Sequence, residues 1–140
     1  MLPNAYSTAF LHLAYRPDLH QLTGRWQYSV TDIELYQGYE ALRRAALHYG
    51  CGNWLIDSRR CLHYCLNRLA WVTDRCLPQV QRELSASLNV GFLVLPAYLN
   101  SLPAAASAPV PDAAVRVGLF LDEGAAGSWL ARQQQELVSR

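Results

Sequence analysis

Thr31-Asp32-Ile33-Glu34-Leu35 opens, and Asn53-Trp54-Leu55-Ile56-Asp57 closes, the stretch whose reading decides the fold. Thr31 and Glu34 have the spacing of a capping box, in which each side chain takes the other residue's backbone N–H. Asp32 and Glu34 suit the positive end of the helix that follows. Leu35, Tyr39, Leu42, Ala46 and Tyr49 recur at helical spacing and predict one buried face. Gly50 supplies the stop. Residues 53–57 are then a short, nearly continuous apolar run, the pattern of a strand covered on both faces. A capped amphipathic helix leading into such a strand is the repeating unit of an α/β sheet.

The pattern extends in both directions. Upstream, residues 8–15 carry Phe10, Leu11, Leu13 and Tyr15, and Arg16-Pro17-Asp18 reads as a turn. In residues 20–28, Leu22, Gly24, Trp26 and Tyr28 alternate with Gln21, Thr23, Arg25 and Gln27, so the two runs form an antiparallel hairpin with a wet Gln/Thr/Arg face. Downstream, residues 67–86 read as a helix with Asn67 as N-cap, kinked or divided at Pro78. Residues 90–95 are a second buried strand, residues 98–102 one helical turn, residues 115–121 a third buried strand, and Asp122 caps a final helix. Residues 103–112 are a Pro/Ala loop, expected to be mobile. The expectation is a single α/β domain spanning residues 1–140. It has a five-stranded mixed sheet, antiparallel in its N-terminal hairpin and parallel thereafter, with about four helices. Trp26, Leu55, Ile56, Phe92, Val94, Val117, Leu119 and Trp129 are its expected core.

Composition narrows the class. Apolar residues make up 51% of the 140 and charged residues 16%, against roughly 25% charged in an average domain, which excludes general disorder. Twelve Arg face eleven acidic residues and there is no Lys, for a net charge of +1. Such a balance gives no pull toward nucleic acid, and lysine chemistry is excluded. The longest apolar run, residues 91–99, is far shorter than the roughly 20 residues of a membrane span. The first residues have no basic region followed by an apolar core, so no signal peptide is expected. Cys51, Cys61, Cys65 and Cys76 are accordingly expected as free thiols in the reducing cytoplasm.

With this layout, Trp26, the run from Thr31 to Tyr39, Trp54-Leu55-Ile56-Asp57-Ser58-Arg59, Trp71 with Leu77-Pro78, and Trp129-Leu130 carry a family resemblance. The chain resembles, over nearly its whole length, the STAS or SpoIIAA-like domains, and within them short STAS-like or SEC14-like proteins of Bacteroidetes. The resemblance implies the SpoIIAA-like fold and work by partner binding; its SEC14-like side implies an apolar or lipid pocket. In the anti-sigma antagonists of that family a phosphorylated Ser lies in an Asp-Ser-Ser-Gly type loop. Here Asp57-Ser58 runs into Arg59-Arg60-Cys61, so Ser58 does not inherit that role.

Ligands of open α/β sheets bind beyond the carboxyl ends of the parallel strands. Those ends carry Asp57-Ser58-Arg59-Arg60, Pro96-Ala97-Tyr98 and Asp122-Glu123. The candidate ligand-binding residues are Asp57, Ser58, Arg59, Arg60, His63 and Tyr98. Two adjacent Arg suit a carboxylate or phosphate; the plainer reading pairs one of them with Asp57. Cys61, His63 and Cys65 lack the spacing of a zinc knuckle, so no metal or other cofactor is expected. A Cys nucleophile with His63 as base lacks an orienting third group. Phosphate-loop, dinucleotide, nucleophile-elbow and zinc-protease motifs are absent from the sequence. The expectation is a non-catalytic regulatory or protein-interaction module of the bacterial cytosol. The alternatives are an apolar-ligand or lipid carrier and a small enzyme using the loop from Asp57 to Cys65. With many aromatics and few charges, a homodimer is expected, through the first strand's edge or the helix face at Tyr36.

Overall fold

The computed structural model describes residues 6–61, 69–101 and 114–138. Strands β1 (Leu11–Arg16), β2 (Gln21–Trp26), β3 (Asn53–Asp57), β4 (Leu88–Leu93) and β5 (Val115–Phe120) form one sheet in sequential order. β1 and β2 are antiparallel, and every later pairing is parallel. The helices are α1 (Asp32–Tyr49), α2, α3 (Pro96–Ser101) and α4 (Glu123–Val138). Within α2, a turn at Leu69–Trp71 widens into π-helix over Val72–Cys76 and continues as Leu77–Leu84. The expected mixed α/β sheet is therefore present, with β3 at its centre. The Pro/Ala loop 103–112 and Asn67 lie outside the described residues.

The caps of α1 act as the sequence requires. Glu34 N–H donates to Thr31 Oγ1 at 3.2 Å, and Thr31 N–H donates to Glu34 Oε1 at 3.0 Å. Gly50 ends the helix at φ 61°, a left-handed conformation in which its N–H reaches Ala46 O. In α2 the break at Pro78 takes the form of a π-turn: Leu77 N–H reaches Val72 O, five residues back. Widening the helix there accommodates a proline that has no N–H to offer.

The sheet's two faces are covered unequally. Leu13, Gly24, Ile56, Phe92 and Leu119 lie in register across all five strands and belong to the face under α1 and α2, where the larger core gathers around Trp26, Trp54, Leu42 and Val72. The opposite face has a smaller core of Leu55, Leu93, Ala126 and Leu130, under α4 alone. α4 packs mainly on β3, β4 and β5, so among the described helices none lies over the outer half of this face, on β1 and β2. Val117, Leu119 and Trp129 are only half-buried. β5 is an edge strand, and an edge position shields a side chain from one side less.

The other edge, β1, is closed by the chain itself. Thr8 Oγ1 accepts from Leu11 N–H at 3.0 Å, and Thr8 N–H donates to Leu11 O at 2.9 Å. Ser7 Oγ accepts from Leu13 N–H at 2.8 Å and donates to Leu13 O at 3.3 Å. Ser7 Oγ, Thr8 Oγ1 and the Thr8 N–H thus occupy the backbone groups of Leu11 and Leu13 with which another strand would pair.

α1 sits on the sheet at Gly38. A Cβ built there would lie 2.3 Å from Trp26 Cη2 and 2.8 Å from Cζ3. Trp26 is itself 1% exposed, so the indole has no free space into which to retreat. Gly38→Ala is expected to lower stability by about 1–3 kcal/mol, the usual range for overpacking, although alanine favours helix. Urea denaturation measures this; an unchanged or raised midpoint would show that α1 does not rest on this contact.

Candidate functional site

On β2, side chains 21, 23 and 25 point to the same face as 53, 55 and 57 of β3. This brings Arg25 to the carboxyl end of the parallel strands, opposite Asp57. Arg25 Nη1 donates to Asp57 Oδ2 at 3.0 Å and Nη2 donates to Glu123 Oε1 at 2.8 Å. Arg59 binds Asp57 from the other side through Nε and Nη2, at 2.9 and 2.8 Å, and its backbone N–H adds a third bond at 3.1 Å. One guanidinium therefore joins β2, β3 and α4, and one carboxylate holds two guanidiniums. Asp122 Oδ1 caps α4 by accepting from Ala125 N–H at 2.8 Å.

Burial pushes the Asp57 carboxyl upward, but hydrogen bonds and charge from Arg59, with a further bond from Arg25, outweigh it and hold the group below its ordinary range. Burial also pushes up the Tyr98 phenol. The same effect drives both Cys51 and Cys76 up to about 11, so these free thiols are not thiolates at neutral pH. Cys61 is disulfide-bonded. That corrects the expectation of free thiols throughout: compartment was the only basis for it, and local geometry decides pairing.

The structure divides the candidate residues. Asp57 and Arg59 are joined as described. Ser58 is 2% exposed, with its N–H on Leu93 O at 3.0 Å, so it is a turn residue under the surface. Arg60 is exposed in the same turn. Tyr98 is half-buried against the larger core under α1 and α2. His63 and Cys65 lie outside the described residues. Among the described residues, no group of three or more His, Cys, Asp or Glu side chains is placed to hold a metal.

Beside this cluster runs a groove of about 550 Å³ on the open half of the sheet. Gln21 and Thr23 form part of its floor; His12, Arg16 and Arg25 flank them; Gly124, Gly127 and Ser128 of α4 form one wall. Arg25, Gln21 and Thr23 were absent from the sequence-derived candidates. Their signal in the sequence is the strand alternation, which a solvated face shares. No family model, curated protein or solved structure matches the chain.

Asp57 is 13% exposed at its side chain. Asp57→Asn is expected to cost about 1–3 kcal/mol at neutral pH, as for bonds to charged groups. The native carboxyl titrates below its unfolded value, so the stabilisation is complete above about pH 4 and is lost as pH falls through the native value. The stability gap between wild type and variant, followed by urea denaturation from neutral to acidic pH, should therefore close in acid. A constant gap would show that the loss comes from packing.

Proposed function

We propose that the chain is a non-catalytic regulatory or protein-interaction module of the bacterial cytosol, of the STAS or SpoIIAA-like kind. The observation that carries this reading is how the charges pair at the carboxyl ends of the strands. Asp57 is engaged by Arg25 and Arg59, and Glu123 by Arg25. A general acid or base needs a value near the working pH, whereas Asp57 is held low. The free thiols that are described are held high. The N-terminal hairpin followed by alternating strands and helices agrees with the resemblance. The lipid reading draws less support, because Arg16, Gln21, Thr23, Arg25 and Glu123 share the groove with its apolar lining of Ala14, Leu19 and Leu55. No helix among the described residues is long and apolar enough to cross a membrane.

The module forms a homodimer through the face of α1 that carries Ile33 and Tyr36, which are 69% and 55% exposed. The Tyr36 ring meets Trp71 edge-on at 4.6 Å, which extends the aromatic surface. The edge of β1 is the weaker choice, because Ser7 and Thr8 already occupy the backbone groups of Leu11 and Leu13. A native mass spectrum with a screen of hydrolase, phosphatase and thiol-transfer substrates tests the reading. Dimer mass, conversion to monomer in Tyr36→Arg, and no turnover are expected. Turnover that disappears in both Cys61→Ala and His63→Ala would overturn the non-catalytic reading, and a monomer at high concentration would overturn the dimer.

A further inference from the structure

We infer that the outer edge of β5 receives an extended segment of a partner protein as an added strand of the sheet. This rests on the module reading above and gives it a surface. β5 stands at the end of the strand order. Leu88 N–H donates to Ala114 O, and Val94 N–H donates to Phe120 O, each at 2.9 Å. Main-chain groups alternate sides along a strand, as side chains alternate faces. Residues 114, 116, 118 and 120 therefore turn their N–H and C=O groups to β4, and Val115, Val117 and Leu119 turn theirs outward. Among the described residues, nothing bonds those outward groups. A row of unpaired donors and acceptors at strand spacing is matched by the main chain of another strand.

The two edges of the sheet differ. At β1, Ser7 and Thr8 fold back onto Leu11 and Leu13 and close the edge. Prolines, bulges and charges are the usual devices that keep a strand off an edge. β5 contains no proline and pairs with β4 without interruption. Its one charged side chain, Arg116, is bonded to Gln133 of α4.

Side chains define the incoming strand. Val115, Val117 and Leu119, whose main chain turns outward, are also half-buried against the larger core under α1 and α2. The Leu77–Leu84 part of α2 packs on β4 and β5. An added strand with apolar residues on that face completes the cover of these three side chains. On the other face, the Phe120 ring lies over Gly118, where a Cβ would be 2.6 Å from Phe120 Cε2. It also meets Trp129, with ring centroids 5.5 Å apart. That face is filled by the chain's own ring, so the segment needs apolar residues only at alternate positions. A second copy is not the occupant. The dimer contact at Ile33 and Tyr36 lies on α1, over the hairpin side of the sheet, and a further two-fold contact at β5 would join dimers into larger assemblies.

The test uses the isotope-labelled full chain and the capped peptide Arg-Thr-Val-Thr-Val-Thr-Val-Arg. In dilute free protein, the Val117 and Leu119 amides are expected to exchange with solvent faster than those of Gly118 and Phe120. Protection of both overturns the proposal, because the chain then covers its own edge. So does protection that rises with protein concentration, because a second copy then fills it. The peptide is expected to give saturable amide shifts along β5 and to slow exchange at Val117 and Leu119. N-methylation of its valines blocks one edge of the peptide, and N-methylation of its threonines the other. One methylated form is expected to bind about tenfold or more weakly, as when hydrogen bonds are left unmade, and the other as the parent does. Val117→Pro removes an outward N–H without touching the β4 ladder and weakens binding similarly, while Val117→Thr keeps it. Absence of saturable shifts, or equal binding by the two methylated forms, overturns the proposal whether or not Val117→Pro folds. Undiminished binding by a folded Val117→Pro overturns it as well. The turnover screen decides the module reading separately from these outcomes.

Discussion

The packing of the Trp26 indole against the backbone of Gly38 sets the geometry on which the rest depends. It seats α1 over the hairpin side of the sheet. α2 then packs beside α1, tied to it by Arg43, which holds Glu40 in its own helix and reaches Glu83 in α2 at 3.0 Å. With these two helices on one face, α4 is the one described helix that packs on the other. It covers the strands nearest to it in the chain, β3 to β5, and leaves β1 and β2 open. The groove follows from connectivity: five strands in sequential order do not present enough long helices to cover both faces evenly.

Elements whose cause is local were legible in the sequence. The capping box of Thr31 and Glu34, the stop at Gly50 and the bounds of β3 at Asn53–Asp57 all came from residues that act on their own neighbours. The break near Pro78 was legible, but not its form, because a π-turn and a kink both answer the same missing N–H. The half-burial of Val117 and Leu119 was not, because an apolar strand reads alike at the centre and at the edge of a sheet. The site was less legible still. Arg25 meets Asp57 across 32 residues and Glu123 across 98. Neither spacing leaves a local pattern. The alternation of Gln21, Thr23 and Arg25 was visible, but a groove floor and a solvated face share that alternation. Only the reach of α4 over the sheet distinguishes them.

The absence of lysine has a structural counterpart. Arg25 bridges two carboxylates from different elements with two nitrogens, and Arg59 binds both oxygens of Asp57. Arg43 does the same for α1 and α2. Each task uses the planar, several-donor fork of a guanidinium; an ammonium is a single point of charge on a flexible stem. Of these, Arg25 adds to the hold of the small second core, Leu55, Leu93, Ala126 and Leu130, between the sheet and α4.

The same pairing shapes what the carboxyl end of the sheet can do. A carboxylate between two guanidiniums is stabilised in its charged form and is a poor proton donor or acceptor near neutral pH. A guanidinium shared by two carboxylates has little left to attract an anion. The charge pairs that stabilise this end of the fold therefore make Asp57 a poor acid or base and leave Arg25 and Arg59 occupied. The closure of Arg25 on Asp57 and Glu123 thus does two things at once: it clamps the hairpin, the central strand and α4 together, and it holds Asp57 in the charged form that is unsuited to proton transfer.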